Sequence, residues 1–292
     1  MYASYWGLQR SPFVRPVGRD GFVLTMQHEE ALARLSFVVE QNRRVAVMTG
    51  PAGCGKSLLL NLFAGQLERT QRRAVVIDLA GTGPAQLHEE LAAGLRLGGV
   101  TSAGGWSCWR AIVDSLDGCS RSGIQTVILF DNLDRAETGC RQIVEQLSSL
   151  NPDSPLPVVV VVAVVRHSTR QTAAWLDAMI DLVVELHPLN ESETASFVIE
   201  LLARAGRRSE VFTSEALRVL HEVSGGIPGR ICRLADLCLL AGMGRDQSFV
   251  DAGLVRAAAE ELISLPQPVT GVPCIRTHVN RLCFGRPLGI SR

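Results

Sequence analysis

The sequence predicts an α/β fold, a mainly parallel sheet with helices on both faces, followed by a small all-helical domain. Apolar strand-like runs alternate with helical stretches up to residue 187, a pattern typical of parallel sheets. One run, residues 158–165, is valine at every position but one, which indicates a strand buried on both faces. After Pro188 only helical patterns follow, so a separate helical domain is expected to begin there.

In the first part, five strands and five helices are expected in alternation. The strands are residues 45–48, 74–79, 126–131, 158–165 and 182–186. The helices are residues 56–67, 84–97, 106–115, 138–150 and 169–178. This order predicts an α/β core at residues 31–187, with an N-terminal segment, residues 1–30, packing on it.

Capping signals divide the second part into helices. Asn190 with Glu193 forms a capping box that opens a helix to about residue 205, and Thr213 can cap the next helix. The stretch 224–228, SGGIP, ends that helix and starts another with proline in its first turn. With a last helix at about 251–263, these predict a helical domain at residues 188–264. Residues 265–292 contain four arginines and no acid, and are predicted to be a flexible basic tail that could dock a partner.

Composition excludes several classes of protein. Acidic and basic residues number 29 each, so no overall field draws the chain to nucleic acid or to an anionic membrane. The eight cysteines form no CxxC pair, and the N-terminus lacks the order of a secretory signal. The longest apolar run has eight residues, whereas a membrane-spanning helix needs about 20. We therefore predict a cytoplasmic protein with reduced thiols and no transmembrane segment.

Lys56 is the only lysine among the 29 basic residues. It lies in a glycine-rich loop, residues 50–57, that joins a strand to a helix and fits the pattern GxxxxGK[ST]. Glycines let successive N–H groups point inward, and the helix N-terminus adds its positive end, so the loop suits a phosphate. Lysine, as a compact point charge, would reach the β- and γ-phosphates, and the Ser57 hydroxyl would bind Mg²⁺. The candidate nucleotide-binding residues are Gly50, Pro51, Ala52, Gly53, Cys54, Gly55, Lys56, Ser57 and Leu58.

Asp131 ends the apolar strand of TVILFDNLD, 75 residues after Lys56. A Mg²⁺ ion held by a hydroxyl and phosphates also favours a carboxylate oxygen from the protein. Asp131 is therefore the second candidate metal ligand beside Ser57. The alternative is an acid that only caps the helix that follows.

Several motifs together resemble the AAA+ ATPases of the general-secretion type called ExeA or GspA, and the related transposition ATPases. They are YWGLQRSPF near the start, HEEALARL from His28, the loop GPAGCGKS, FDNLD, LHPL from residue 186 and SGGIPGRICRLADLCLLA from residue 224. The resemblance covers residues 2–243. It implies a P-loop NTPase core with a helical lid, ATP and Mg²⁺ as ligands, and ATP hydrolysis to ADP and phosphate.

The resemblance also assigns roles to single residues. Arg230, in GIPGR, matches the lid arginine that contacts the γ-phosphate, with Arg233 as the alternative. A polar group ending the valine strand falls among Arg166, His167 and Ser168, with Arg166 favoured.

Two positions depart from the family pattern. The residue after Asp131 is Asn132, where the family usually has a glutamate that polarises the attacking water. An amide orients water but cannot accept its proton, and lost general-base help costs about 10²–10⁴ in rate. Met179 stands where relatives tend to carry an arginine for a neighbouring subunit, a role that Arg170 or Arg135 could take. Asp134 could replace the missing base.

The resulting hypothesis is an ATP-dependent switch that acts on a protein partner, with slow or stimulated hydrolysis; the site residues assigned to catalysis are Lys56, Asp131, Asn132 and Arg230. Two alternatives remain open, an adaptor that binds ATP without useful hydrolysis and a DNA-associated ATPase resembling transposition or initiator ATPases. Net charge gives no indication of DNA binding, and a homo-oligomer is compatible with the sequence.

Overall fold

The computed structural model describes residues 2–13, 23–98, 105–150, 157–165 and 179–264. In chain order the elements are α1 (Tyr2–Tyr5), α2 (Met26–Glu40), β1 (Val45–Gly50), α3 (Lys56–Arg69), β2 (Arg73–Asp78), α4 (Pro84–Gly94), α5 (Gly105–Arg121), β3 (Thr126–Asp131), a 3₁₀ turn (Leu133–Arg135), α6 (Thr138–Ser148), β4 (Val159–Val165), β5 (Leu182–Glu185), α7 (Glu191–Arg204), α8 (Ser214–Ser224), α9 (Pro228–Gly244) and α10 (Ala252–Ser264). The predicted helix at 169–178 and the tail at 265–292 lie outside the described residues.

The five described strands form one parallel sheet in the order β2-β3-β4-β1-β5. Side chains alternate across it: Ile128 and Phe130 of β3 join a core with α4, α5 and α6, whereas Val127 and Leu129 join a core with α2 and α3. Both faces of the sheet are therefore covered, which explains the continuous apolar strands. The predicted α/β fold with a helical part is confirmed.

The valine strand β4 lies between β1 and β3. Its residues pair with both neighbours along most of its length, for example Val160 with Val45 and with Ile128. This order brings the carboxyl ends of β1, β4 and β3 to one edge of the sheet. The loop that follows β1 and the acid that ends β3 therefore lie on the same edge, on either side of β4.

The caps predicted for the helical part are present. Asn190 Oδ1 accepts a hydrogen bond from the Glu193 N–H at 2.9 Å, and Glu193 Oε2 accepts one from the Asn190 N–H at 2.8 Å. Thr213 Oγ1 accepts from the Ala216 N–H at 3.1 Å. Gly225 ends α8 in the left-handed conformation, and Pro228 opens α9. Helices α7 to α10 pack around a third apolar core of their own.

The N-terminal segment packs on these helices. Trp6, 1% exposed, donates its indole N–H to the Leu239 carbonyl of α9 at 2.8 Å. Trp6, Leu8 and Phe13 all join the core of the helical part. The prediction that residues 1–30 pack on the α/β core is therefore wrong for residues 2–13. The reason is local: Gly242 of α9 leaves room for the indole, since a Cβ there would lie 2.7 Å from Trp6.

Helix α2 packs on the sheet. Its buried residues Ala31, Leu32 and Leu35 join the core shared with α3. Among the helices of the described ranges, none is long and apolar enough to cross a membrane.

Candidate nucleotide-binding site

The glycine-rich loop connects β1 to α3 at the carboxyl edge of the sheet. Gly53 and Gly55 have φ values of +92° and +94°, in the region that favours glycine. Gly50 ends β1 against the segment that follows β5, and a Cβ there would lie 2.6 Å from the Leu186 carbonyl oxygen. Three of the loop's positions are thus restricted to glycine by its backbone path. Such a path turns successive N–H groups toward one point, which suits an anion.

Lys56 is the first residue of α3 and is only 8% exposed. Its Nζ donates hydrogen bonds to the carbonyl oxygens of Gly50 at 2.8 Å and of Pro51 at 2.9 Å. Burial lowers the pKa of Lys56, and the nearby Cys54, Asp131 and Asp134 oppose that shift. The ammonium group is thus held at the mouth of the loop in surroundings with little water. There an anionic ligand would gain more from it than in bulk solvent.

Asp131 and Ser57 are brought together across the sheet. Asp131 ends β3 and is 7% exposed, and the hydroxyl of Ser57, second residue of α3, donates a hydrogen bond to its carboxylate. Burial raises the pKa of Asp131, and the bond from Ser57 partly offsets this rise. A buried carboxylate that contacts a hydroxyl beside a phosphate loop fits the oxygen ligands that Mg²⁺ prefers.

A metal ion at Ser57 and Asp131 would also need ligands from a bound nucleotide. Across the described ranges, no group of three or more His, Cys, Asp or Glu side chains could hold a metal ion. One carboxylate and one hydroxyl leave most positions of an octahedral ion to water and phosphate oxygens, as is usual for Mg²⁺. Ser57 and Asp131 therefore fit an ion that arrives with a nucleotide.

Asn132 lies directly after Asp131 in the left-handed conformation, with φ 55° and ψ 40°. Its backbone N–H donates to Asp131 Oδ1 at 2.9 Å, and its side-chain Nδ2 donates to Asp78 Oδ1 at 2.8 Å. Asp78 is the last residue of β2 and pairs with Asp131 in the register of the sheet. Sequence reasoning missed Asp78; its position at the end of a strand that neighbours β3 was the available signal.

The alternative base, Asp134, has a structural partner. Its Oδ1 accepts a hydrogen bond from the Val165 N–H at 3.3 Å, at the end of β4. This bond ties the turn after β3 to the neighbouring strand. Arg135, on the same turn, is exposed.

The two candidate arginines of the helical part lie at the surface, in the first turns of α9. Arg230 is the third residue of α9, and both Arg230 and Arg233 are exposed. One residue earlier, the Gly229 N–H donates to the Gly53 carbonyl oxygen at 3.0 Å, so the start of α9 contacts the glycine-rich loop directly.

The other residues considered from the sequence divide in two groups. Met179 is partly buried against the α/β core. Arg166, His167, Ser168 and Arg170 lie outside the described residues.

His28 is a second contact that sequence reasoning did not assign. Its Nε2 lies 3.1 Å from the Cys54 carbonyl oxygen, and Nδ1 lies 3.3 Å from the Thr25 backbone N–H. Since a carbonyl only accepts and an N–H only donates, Nε2 carries the proton and Nδ1 accepts. The ring is 3% exposed, and burial lowers the pKa of His28. The neutral His28 ring therefore supports the glycine-rich loop through its hydrogen bond to the Cys54 carbonyl oxygen.

The sheet order, the glycine-rich loop and the Ser57–Asp131 contact form a candidate phosphate-binding site, and comparison with known proteins shows what the chain is similar to. Residues 39–166 match the family described as AAA domain. The chain is 26% identical over 274 residues to General secretion pathway protein A of Aeromonas hydrophila. That match covers 90% of this chain and 48% of the relative, so the chain spans about half the length of the curated relative it matches.

Solved structures share the fold at low identity. Cdc6p from Pyrobaculum aerophilum aligns with a TM-score of 0.66 at 14% identity, over 88% of this chain and 74% of that one. The Aeropyrum pernix ORC2 protein, in ADPNP and ADP complexes, gives 0.64 at 14% identity over 88% and 72%. The RuvB Holliday junction branch migration motor of Thermotoga maritima gives 0.57 at 16% identity over 86% and 73%.

These findings confirm the resemblance to AAA+ ATPases of the general-secretion type. The chain is thus similar to AAA domain proteins over residues 39–166, and its fold is a P-loop α/β core with a helical part.

Proposed function

We propose that this chain binds ATP with Mg²⁺ at the glycine-rich loop and works as a nucleotide-dependent switch on a protein partner, with slow or stimulated hydrolysis. The observation that supports the proposal is the arrangement of Lys56 and the Ser57–Asp131 pair. They belong to two strand ends separated by β4, and they meet around the start of α3. This is the arrangement that the phosphates of a nucleotide and their cation require.

The residues of the loop divide the work of binding. Backbone N–H groups of the loop and the N-terminus of α3 face the phosphates. Lys56 exchanges its bonds to the Gly50 and Pro51 carbonyl oxygens for bonds to phosphate oxygens, so it gains charge-assisted contacts without losing satisfied donors. Ser57 and Asp131 would hold Mg²⁺, which supplies charge neutralisation between the β- and γ-phosphates when bound.

The helical part serves as the lid in this proposal. The bond between the Gly229 N–H and the Gly53 carbonyl joins the first turn of α9 to the loop. Arg230 follows in the same turn and is exposed, so its guanidinium is available for a terminal phosphate. A contact that ATP offers and ADP lacks would make the lid position depend on the nucleotide state. A partner bound to the lid would then sense hydrolysis.

The expectation of slow turnover rests on Asn132. Its amide accepts a hydrogen bond from a water but takes no proton, and Asp134 is engaged by the end of β4. The barrier without a general base rises by about 3–5 kcal/mol. ATP would therefore remain bound for longer than in a fast motor.

The test is ATP binding and steady-state hydrolysis by the wild type and by Lys56→Ala. Arg69→Ala, which removes an exposed cation from the other end of α3, is the matched control. We expect Lys56→Ala to weaken ATP affinity by roughly 100-fold and to abolish turnover, because no other lysine can replace the ammonium group. Arg69→Ala should behave as the wild type. ATP binding that survives Lys56→Ala unchanged would overturn the proposal.

The Asn132 amide also favours a second function, an adaptor that binds ATP without useful hydrolysis. A single pulse of ATP separates the two. A switch returns to its ADP state by itself, whereas an adaptor holds intact ATP until it exchanges. The Aeropyrum pernix ORC1 protein was solved in complex with DNA. This chain has no net charge, so we propose a protein partner rather than DNA.

A further inference from the structure

Five arginines lie together at the amino edge of the sheet, the edge opposite the glycine-rich loop. They are Arg69 at the end of α3, Arg72 and Arg73 where β2 begins, Arg96 just after α4 and Arg121 at the end of α5. The chain carries no net charge, so only the fold brings this positive charge together. We propose that these five residues, which we call the arginine face, bind an acidic segment of a partner protein.

Arg73 joins the ends of two helices on one face of the sheet. Its Nη1 donates to the Leu95 carbonyl oxygen at 3.5 Å and to Cys119 Sγ at 3.2 Å. Leu95 directly precedes Arg96, and Cys119 lies two residues before Arg121. The ends of α4 and α5 therefore meet at the start of β2, and their arginines belong to the same surface as Arg73.

Arg72 makes similar contacts on the other face of the sheet. Its Nε donates to Gln125 Oε1 at 3.0 Å and its Nη1 to Thr70 Oγ1 at 3.2 Å, just after Arg69. Gln125 is 5% exposed and donates in turn to the Val39 carbonyl oxygen of α2 at 3.0 Å. The guanidinium group of Arg72 is thus held between the ends of α2 and α3.

Acids do not neutralise the arginine face. Arg72 and Arg73 donate only to neutral groups, namely an amide, a hydroxyl, a carbonyl and a thiol. Over the ranges that the structure describes, none of the five arginines forms an ion pair. The guanidinium charges of the face therefore have no carboxylate partner within the chain that is described.

The ends of the helices account for part of this charge. The C-terminal carbonyl groups of α3, α4 and α5 carry roughly half a negative charge each. Glu68 and Asp117 lie near the ends of α3 and α5. Five guanidinium groups outnumber these negative groups, so the arginine face keeps a positive surplus that an external anion can meet.

The arginine face also offers hydrogen-bond donors. Nη2 of Arg72 and of Arg73 has no partner among the described residues, although other nitrogens of both groups are bonded. Arg69, Arg96 and Arg121 are exposed, and their side chains make no hydrogen bond within the same ranges. A guanidinium group pairs with a carboxylate through two parallel N–H···O bonds, and one that is already held in place loses little freedom on binding. The two half-buried arginines are thus preorganised, and the three exposed ones can adapt around them.

The dimensions of the arginine face fit a short extended peptide. A helix is about 10 Å across, so a surface formed by three helix ends is roughly 20 Å wide. About six residues of extended chain cover this distance. A flexible peptide can place its carboxylates at the arginines and away from Glu68 and Asp117, whereas a DNA duplex carries one charge per about 1.7 Å at fixed positions. These features favour an acidic protein segment over nucleic acid.

The inference goes beyond the proposed function and does not rest on ATP binding. Strand β2 has six residues, so the arginine face lies roughly 20 Å from the edge that carries the candidate site. No residue of the glycine-rich loop belongs to it. The arginine face would therefore hold a partner in every nucleotide state.

The probe for the experiment is a fluorescein-labelled hexaglutamate peptide, whose affinity is measured by fluorescence anisotropy in about 0.1 M salt, where charges more than about 10 Å apart are largely screened. Arg96→Glu/Arg121→Glu reverses two exposed charges of the arginine face. Arg208→Glu/Arg245→Glu makes the same change at two exposed arginines of the helical part and is the matched control. We expect roughly tenfold weaker binding in the first variant, since two attractions become repulsions. The control should stay within about twofold of the wild type.

Two further variants complete the experiment. Arg69→Glu, on α3 across the sheet, should weaken peptide binding by roughly three- to fivefold, because one charge is reversed. Lys56→Ala should bind the peptide as the wild type does, with or without ATP. Thermal midpoints show that each variant is folded, which is expected because the substituted arginines of the face are exposed.

Three results would overturn the inference. The first is unchanged affinity in Arg96→Glu/Arg121→Glu, or an equal loss in the control. The second is loss of peptide binding in Lys56→Ala, which would place the peptide at the glycine-rich loop instead. The third is tighter binding of a DNA oligonucleotide or of phosphatidylserine vesicles than of hexaglutamate, lost in the same variant, which would assign the face to another class of partner. A wild type that binds the peptide but no ATP would overturn only the proposed function.

Discussion

Two buried basic side chains, Lys56 and His28, contact carbonyl oxygens of the glycine-rich loop, and burial lowers the pKa of both. Lys56 meets two carbonyl oxygens, which stabilise an ammonium group. His28 meets a carbonyl at Nε2 and an N–H at Nδ1, which stabilise the neutral ring. One residue thus places a charge beside the loop, while the other supports the loop without charge.

His28 gives a prediction for pH. Its pKa is lowered on folding, so the unfolded chain takes up a proton first as pH falls. The stability that neutral His28 contributes is complete above pH about 6.5 and is lost as pH falls from there toward the lowered pKa. Wild type should therefore lose more free energy of unfolding between pH 7.5 and 5.5 than His28→Gln, whose amide can donate to Cys54 without titrating. Urea unfolding at both pH values measures this.

The comparison of wild type with His28→Gln separates the contribution of His28 from that of the other histidines. Burial also lowers the pKa of His88, which is present in both proteins and cancels in the difference. Equal losses of stability in wild type and His28→Gln would contradict the prediction.

Among the elements, α9 has the most direct link to the loop. It begins at Pro228, and its second residue, Gly229, donates to Gly53. Ile227, just before it, is buried in the core of α2 and α3. The start of α9 is therefore fixed on the α/β core, while the rest of the helix lies in the core of the helical part. An element anchored at one end in this way can transmit a change at the loop to the helical part.

Gly229 tests that link. A Cβ at this position would lie 3.1 Å from the Gly53 carbonyl oxygen, so Gly229→Val should push α9 from the loop and break the hydrogen bond. We expect ATP affinity to fall by roughly three- to tenfold, which corresponds to one lost hydrogen bond and some repulsion. Titration with a fluorescent ATP analogue measures the change.

The control lies on the same helix. Gly244, its last residue, has open space where a Cβ would be, so Gly244→Ala should leave affinity unchanged. Unchanged affinity in Gly229→Val would show that the contact between α9 and the loop carries no binding energy.

Both parts of the molecule have their own apolar core. In the α/β part the sheet separates the core into two layers, one on each face. The helical part encloses a separate core, which also includes Trp6, Leu8 and Phe13 from the N-terminal segment. The start of the chain thereby stabilises the part that lies far from it in sequence.

Trp6→Ala should destabilise this helical part. Removing a buried tryptophan costs about 3–5 kcal/mol, and the Leu239 carbonyl also loses its donor. Phe249→Ala, at a residue 52% exposed in the same part of the chain, should cost less than about 1 kcal/mol. Urea unfolding monitored by circular dichroism compares them. A cost for Trp6→Ala no larger than that of Phe249→Ala would show that the segment is dispensable for stability.

Much of this structure could be predicted from local patterns in the sequence. The alternation of strands and helices, the helix caps at Asn190 and Thr213 and the loop around Lys56 depend on neighbours in the chain, and all are found where they were expected. The elements end within a few residues of their predicted limits. The largest extension among them is the second half of α5, where polar and apolar residues alternate without a clear stop before Arg121.

Contacts between segments that are far apart in the sequence could not be predicted in this way. The order β2-β3-β4-β1-β5 is what places Asp78 beside Asn132 and ties Asp134 to Val165, and no local signal specifies which strands are neighbours. Likewise, only the fold decided that Trp6 lies against Gly242 rather than on the sheet. The sequence by itself determined the fold class of the protein and its glycine-rich loop, since these depend on residues close together in the chain. Tertiary structure alone decided which side chains surround that loop, because packing joins residues that the chain holds far apart.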